Sequence, residues 1–210
     1  MPEKTSGTVS APGTAWIATV SPEEAEGLVR EVYEEDISNN GAVSVVTKMM
    51  SKKPEVLKTW WRFKHALTFG GSSLGRAREE YIATLVAMKY KCSFCSVVHG
   101  ELLRKALNTT HERIIEIVRN YKNAGLDEKD VRLIDFALQV ATAAHEITPE
   151  SLDDMRSAGF SDEEIVEICT VTSYRAFMSL MVNSLGLQLD EKFLTLEEKF
   201  KKVLAIGRKI

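Results

Sequence analysis

Apolar residues recur along most of the chain at the three-and-four spacing of helix faces, and short polar boxes punctuate the runs. Ser21-Pro22-Glu23-Glu24, Ser161-Asp162-Glu163-Glu164 and Thr195-Leu196-Glu197-Glu198 each set a hydroxyl three residues before a glutamate, the pattern of a capping box at a helix start. Thr148-Pro149-Glu150 is a similar start, with proline at the first helical position. Gly159 and Gly186 mark stops, and Gly70-Gly71-Ser72-Ser73 separates two runs. These signals predict helices near 22–36, 43–50, 54–68, 76–90, 93–107, 110–123, 128–145, 149–158, 162–185 and 195–207. No segment alternates like a strand, so the fold class is all-α. Residues 1–14 are rich in Gly, Pro, Ser and Thr and predict a mobile tail, leaving 15–210 as a single helical domain.

Two of the runs share a pattern. When 79–101 is laid on 163–185, Glu79-Glu80 falls on Glu163-Glu164, Tyr90-Lys91 on Tyr174-Arg175, and Val98-His99 on Val182-Asn183. Cys92 and Cys95 fall on Ala176 and Ser179, so chemistry is lost while shape is kept. The expectation is two pseudo-repeated helical hairpins packed face to face, the second chemically silent.

Composition narrows the possibilities. With 210 residues, 44% of them apolar, the chain can bury one substantial core. The net charge of −3 comes from 27 basic and 30 acidic residues that are interspersed, which leaves no basic stripe for nucleic acid. No apolar run reaches the length of a membrane span, and the N-terminus lacks the order of a signal peptide, so a cytoplasmic protein with no membrane partner is expected. The adjacent Trp60 and Trp61 predict one ring in the core and one toward a neighbour or subunit, and His65, His111 and His145 are expected to be solvated. Three cysteines are too few for a secreted disulfide framework, and a close C-x-x-C pair reads as redox chemistry or metal binding.

The candidate chemistry lies in EEYIATLVAMKYKCSFCSVVHGE, residues 79–101. With a helix starting at Ser93, Cys92, Cys95 and His99 fall within about 60° of arc on one face. Cysteines at a helix start gain from the unpaired N–H groups and the helix dipole, which favour a thiolate, and their spacing permits a disulfide. His99, one turn after Cys95, is placed to take the thiol proton, and Glu80 on the preceding helix to orient the imidazole. Two thiolates and an imidazole are also three parts of a zinc site, although Cys169 stands alone and supplies no second knuckle. A third reading makes all three ordinary interior residues.

Glu80 followed by Cys92-Ser93-Phe94-Cys95 and His99 resembles the signature of the alkylhydroperoxidase AhpD-like, carboxymuconolactone decarboxylase superfamily. AWIATVSPEEAEG, SLGRAREEYIATLVAMKYKCSFCSVVHG, DVRLIDFALQVA and SAGFSDEEIVEICTVTSYRAFMSLMVNSLGL are similar to its peroxidase-related branch. The resemblance implies an all-helical fold assembling as trimers or hexamers and a thiol-dependent peroxidase. It implies that Cys95 attacks a peroxide, Cys92 resolves the product as a disulfide, and Glu80 and His99 relay protons. An external dithiol or protein reductant is the implied partner, with no bound cofactor and no metal. Phe94 departs from the family, whose best-known peroxidase has a histidine at that place. Alternatives are a disulfide reductase serving another peroxidase, a non-catalytic helical oligomer that senses oxidation or holds zinc, and, further off, lactone decarboxylation.

Overall fold

The computed structural model describes residues 15–68 and 72–209; the tail expected over 1–14 and the Gly70-Gly71 spacer lie outside the described residues. Helices dominate them and no strand occurs among them. In chain order they are α1 (Gly27–Asn40), α2 (Val45–Lys48), α3 (Pro54–Thr68), α4 (Arg76–Lys89), α5 (Ser93–Ala106), α6 (His111–Asn120), α7 (Glu128–Ala143), α8 (Pro149–Ser157), α9 (Asp162–Leu185), α10 (Glu191–Leu194) and α11 (Glu198–Leu204).

The α4 helix is the axis of the domain. Every residue from Glu79 to Ala87 is buried, because α5, α7 and α9 all pack against it. A helix covered on several sides has no polar face to present, which is why its apolar positions run almost without interruption. Ile82, Val86, Leu103, Ile114, Leu133 and Ile168 are essentially inaccessible. Truncating one of them, as in Ile82→Ala, costs about 2–5 kcal/mol through lost transfer energy and the cavity left behind. Gly100 lets α11 approach α5 closely, since a Cβ there would collide with the Leu204 side chain.

The start signals at Thr148 and Ser161 form full capping boxes. Those at Ser21 and Thr195 do not start helices. Glu24 N–H donates to Ser21 Oγ at 3.3 Å, but this turn ends as Ala25 turns into the core and Glu26 extends; α1 begins at Gly27, whose φ of +50° suits glycine. Thr195 instead ends α10, its hydroxyl donating to the Lys192 carbonyl at 3.2 Å, and α11 starts at Glu198 without a side-chain cap.

Four further expectations are corrected. The segment 163–185 is not a second hairpin: α9 runs unbroken for 24 residues, whereas 79–101 divides into α4 and α5. The difference lies at Lys91, which adopts φ +51° and breaks the chain direction, while its counterpart Arg175 stays helical. The α9 helix is also long and apolar enough to match a bilayer span, contrary to the expectation that no run reaches that length; half of its apolar window is buried within the fold. Trp60 and Trp61 are both buried, their ring centroids 6.1 Å apart. Nor are all the histidines solvated: the His65 ring packs tilted against Trp61, centroids 4.6 Å apart, and His111 bridges Glu101 and Glu197 at 3.1 and 3.2 Å.

Candidate active site

The turn between α4 and α5 creates the site. After Lys91, Cys92 adopts an extended backbone as the N-cap of α5 and its Sγ accepts the Cys95 backbone N–H at 3.3 Å. The C-terminal segment holds this corner from behind. Gly207 N–H donates to Ser93 Oγ at 2.9 Å, and the Ser96 hydroxyl donates to the Leu204 carbonyl at 2.6 Å. Gly207 lies so close to Lys91 that a Cβ would strike the Lys91 carbonyl oxygen. Cys92 and Cys95 are both free thiols and both buried.

Their electrostatics divide the pair. Cys92 is held below the usual thiol range, first by the hydrogen bond from the Cys95 thiol and, against the opposing effect of burial, by the Cys95 backbone N–H and the charge of Arg208. Cys95 is pushed well above that range, because its proton is engaged by Cys92 and because it is buried. The two sulfurs thus share a proton and titrate as a pair.

Beside the pair runs a chain of charged groups, Arg76–Glu80–His99–Arg175. Arg76 Nη2 lies 2.6 Å from Glu80 Oε1, Glu80 Oε2 lies 2.7 Å from His99 Nδ1, and Arg175 Nη1 lies 3.2 Å from His99 Nε2. Burial alone would raise the fully buried Glu80, but the charge and hydrogen bond of His99, with the two arginines, bring its carboxyl below the usual range. His99 is lowered by burial and by the positive charge of Arg175. A neutral His99 fits both contacts, with Nδ1–H donating to Glu80 and Nε2 accepting from Arg175.

Of the residues expected from the sequence, Cys92 joins Cys95, and Glu80 joins His99. The expected reach of His99 to the Cys95 sulfur is replaced by Arg175, which occupies the ring nitrogen left by Glu80. Arg76 and Arg175 were not anticipated. A signal for Arg175 existed: it is a charged residue in the otherwise apolar run SYRAFMSLM, and it sits opposite Lys91 in the alignment of the two similar segments. Among the described residues no group of three His, Cys, Asp or Glu side chains could hold a metal, and with both His99 nitrogens engaged the third ligand of the zinc reading is missing. Cys169 is free and half-buried, and burial raises its thiol.

A cavity of about 380 Å³ opens over the site, its wall including Cys95, Phe94, His99, Trp60, Tyr174 and Arg175. Cys95 reaches this wall while Cys92 lies behind it. The arrangement can offer one sulfur to a small molecule, draw the second into a disulfide, and set a guanidinium beside the reacting group.

No family model and no curated protein matches the chain. Solved structures do. An uncharacterised peroxidase-related protein from Ralstonia eutropha, described as an alkylhydroperoxidase AhpD core, superposes with a TM-score of 0.80 at 21% identity over 94% of this chain and 100% of that one. An uncharacterised peroxidase-related protein from Silicibacter sp. superposes with a TM-score of 0.76 at 24% identity over 90% and 98%. The debrominase Bmp8 superposes with a TM-score of 0.67 at 12% identity over 92% and 98%, and it is also known as a cysteine-to-alanine variant in complex with 2,3,4-tribromopyrrole. The chain has the all-helical AhpD-core fold of these peroxidase-related proteins.

Proposed function

We propose that the protein is a thiol-dependent peroxidase that reduces hydrogen peroxide or an organic hydroperoxide through a Cys92–Cys95 dithiol/disulfide cycle. The observation that carries this reading is the placement of a reduced cysteine pair at the head of α5, one sulfur on a cavity wall and the other behind it, next to Arg175. In the first step Cys92 takes the proton of Cys95, and the Cys95 thiolate attacks the terminal peroxide oxygen. The O–O bond breaks, Cys95 becomes a sulfenic acid, and the alkoxide leaves toward Arg175 and gains a proton from solvent. Cys92 then attacks the Cys95 sulfur, its proton departing with the hydroxyl as water. Two thiols and one hydroperoxide thus yield a disulfide, an alcohol and water. An external dithiol restores the pair by exchange, with no bound cofactor in the cycle. Glu80 and His99 hold Arg175 toward the leaving oxygen and carry protons between the cavity and the buried carboxylate.

Peroxide consumption by the reduced protein, with mass mapping of the product, tests the proposal. One equivalent should be consumed per pair of thiols lost, with a Cys92–Cys95 bridge formed and Cys169 still reduced. Unchanged consumption by Cys95→Ser would overturn it. The debrominase similarity favours a second reading of the same pair, in which two thiols reduce an aryl carbon–bromine bond to carbon–hydrogen and yield bromide, a proton and the disulfide; bromide release from a brominated pyrrole separates the two.

The reading also carries a cytoplasmic homo-oligomer. Support for assembly comes from the exposed side chains of Val56, Phe63 and Phe177, which line an apolar groove between α3 and α9. A monomer in sedimentation at micromolar concentration would remove that part.

A further inference from the structure

Four helices each send one cation to the wall of the same small cavity: Lys64 from α3, Arg76 from α4, Arg175 from α9 and Lys192 from α10. Among the described residues Asp190 is the one carboxylate on that wall. The other nearby carboxylates, Asp36, Glu79 and Glu80, are fully or almost fully buried behind it, so they lessen the total charge without facing a ligand. The rest of the wall is largely apolar, with Trp60, Phe94, Val98, Leu102, Tyr174 and Met178.

Arg175 points most directly to what is missing. It is about nine-tenths buried, its Nη1 is spent on His99, and its Nε has no hydrogen-bond partner. A buried guanidinium N–H without an acceptor costs free energy that a carboxylate oxygen would recover through a charge-assisted bond. Crowding of like charge adds to this. Lys64 is lowered to about 8, chiefly by burial, with Asp36 opposing the shift and Arg175 adding to it.

Resting on the peroxidase reading above, we propose that the cavity selects an organic monocarboxylate, so that the substrate is a hydroperoxide carrying a carboxylate on an apolar body. Lys64 and the unpartnered Nε of Arg175 bind the carboxylate, the aromatic and aliphatic wall takes the body, and a hydroperoxide group borne close to the carboxylate meets Cys95, so that its leaving oxygen stays within reach of the same guanidinium. Hydrogen peroxide, lacking both body and charge, gains nothing from these contacts. The volume of about 380 Å³ suits a compact molecule, toward the small end of the roughly 300–1,000 Å³ common for ligand sites.

The test separates binding from turnover. Calorimetry on the reduced protein with unreactive octanoate, methyl octanoate and octanol reads the anion site alone. Octanoate is expected to bind at least about tenfold more tightly than the ester or the alcohol, and to lose roughly tenfold in Arg175→Met and several-fold in Lys64→Met. Comparison among the three ligands on the unaltered protein keeps the inference open to refutation if either variant fails to fold. Equal affinity for acid and ester, or no binding of octanoate, overturns it. A second arm compares kcat/KM for an eight-carbon hydroperoxy acid and its methyl ester, with a lower KM expected for the acid. If octanoate binds selectively while neither hydroperoxide is consumed, the anion site stands and the peroxidase reading falls.

Discussion

Residues 79–101 and 163–185 share a pattern of acidic start, apolar middle and aromatic-cation pair, yet they fold differently. The first breaks after Tyr90 and starts a new helix, with Cys92 as its cap. The second continues through Tyr174 and Arg175 as part of α9. A break brings unpaired N–H groups to a sulfur; a continuous helix instead carries a side chain past that break at a constant angle. Asn183 of α9 donates to the Tyr90 carbonyl at 3.1 Å, and Arg175 reaches His99, so the unbroken segment closes the site that the broken one opens. The second segment is therefore not silent. It exchanges thiol chemistry for a cation.

The most severe way to break this comparison is to remove the sulfur that only the first segment has. Cys95→Ser should lower peroxide turnover by roughly 10⁴-fold or more, the scale seen when a covalent nucleophile is lost. Stopped-flow consumption of peroxide measures it, and Ser179→Cys in the same background, which places a thiol at the matching position of α9, should not restore it.

Next in size are the charged partners on each side. Glu80→Gln and Arg175→Met should each reduce kcat by roughly 10²–10⁴-fold, because one group moves or orients protons and the other stabilises the departing oxygen. Thermal melts of both variants accompany the kinetics, since each leaves a buried charge without its partner.

A pH series sharpens the comparison at its junction. His99 is lowered from 6.5 in the folded protein, so below about that pH the unfolded chain binds a proton that the folded one resists. Its contribution to stability is full above the unfolded value and is lost as pH falls through the folded one. Glu80, also lowered from its ordinary 4.5, adds a second loss in more acid solution. Melting temperature should therefore decline between pH 7 and 5, and His99→Gln should flatten that decline while leaving the more acid limb.

The smallest effect belongs to Glu164, the positional counterpart of Glu80. It completes the capping box of α9, with Ser161 N–H donating to Glu164 Oε2 at 2.8 Å, and it plays no part in the cavity wall. Glu164→Gln should leave turnover within a factor of about two and cost on the order of 1 kcal/mol or less of stability, read by chemical denaturation. A loss of activity equal to that of Glu80→Gln in a folded protein would show that both glutamates serve one site.

How much of this was legible in the linear chain depends on the range of the forces involved. The all-α class, the α3 to α9 boundaries to within a few residues, and the placement of Cys92, Cys95 and His99 on one helix follow from periodicity, caps and spacing, which act over one or two turns. The pairing of Glu80 with His99 was also legible, because two consecutive helices joined by a short turn must lie side by side. The failed starts at Ser21 and Thr195 were not, since burial of Ala25 and the preceding turn of α10 outweigh the local boxes. The break between 90 and 93 was legible, but the positive φ of Lys91 that makes it was not, since the residue type carries no mark of it.

By itself, then, the sequence determined the helices and the three chemical groups carried on one of them, through hydrogen bonds and side-chain periodicity local to each segment. Only the tertiary structure decided that Arg175, 76 positions from His99, faces its ring, that the tail at Gly207 braces the cysteine corner, and that cations from four helices share one cavity. Those contacts depend on how the faces of distant helices pack, and a side chain's neighbours across such an interface are set by the fit of the whole core, which no short stretch of residues encodes.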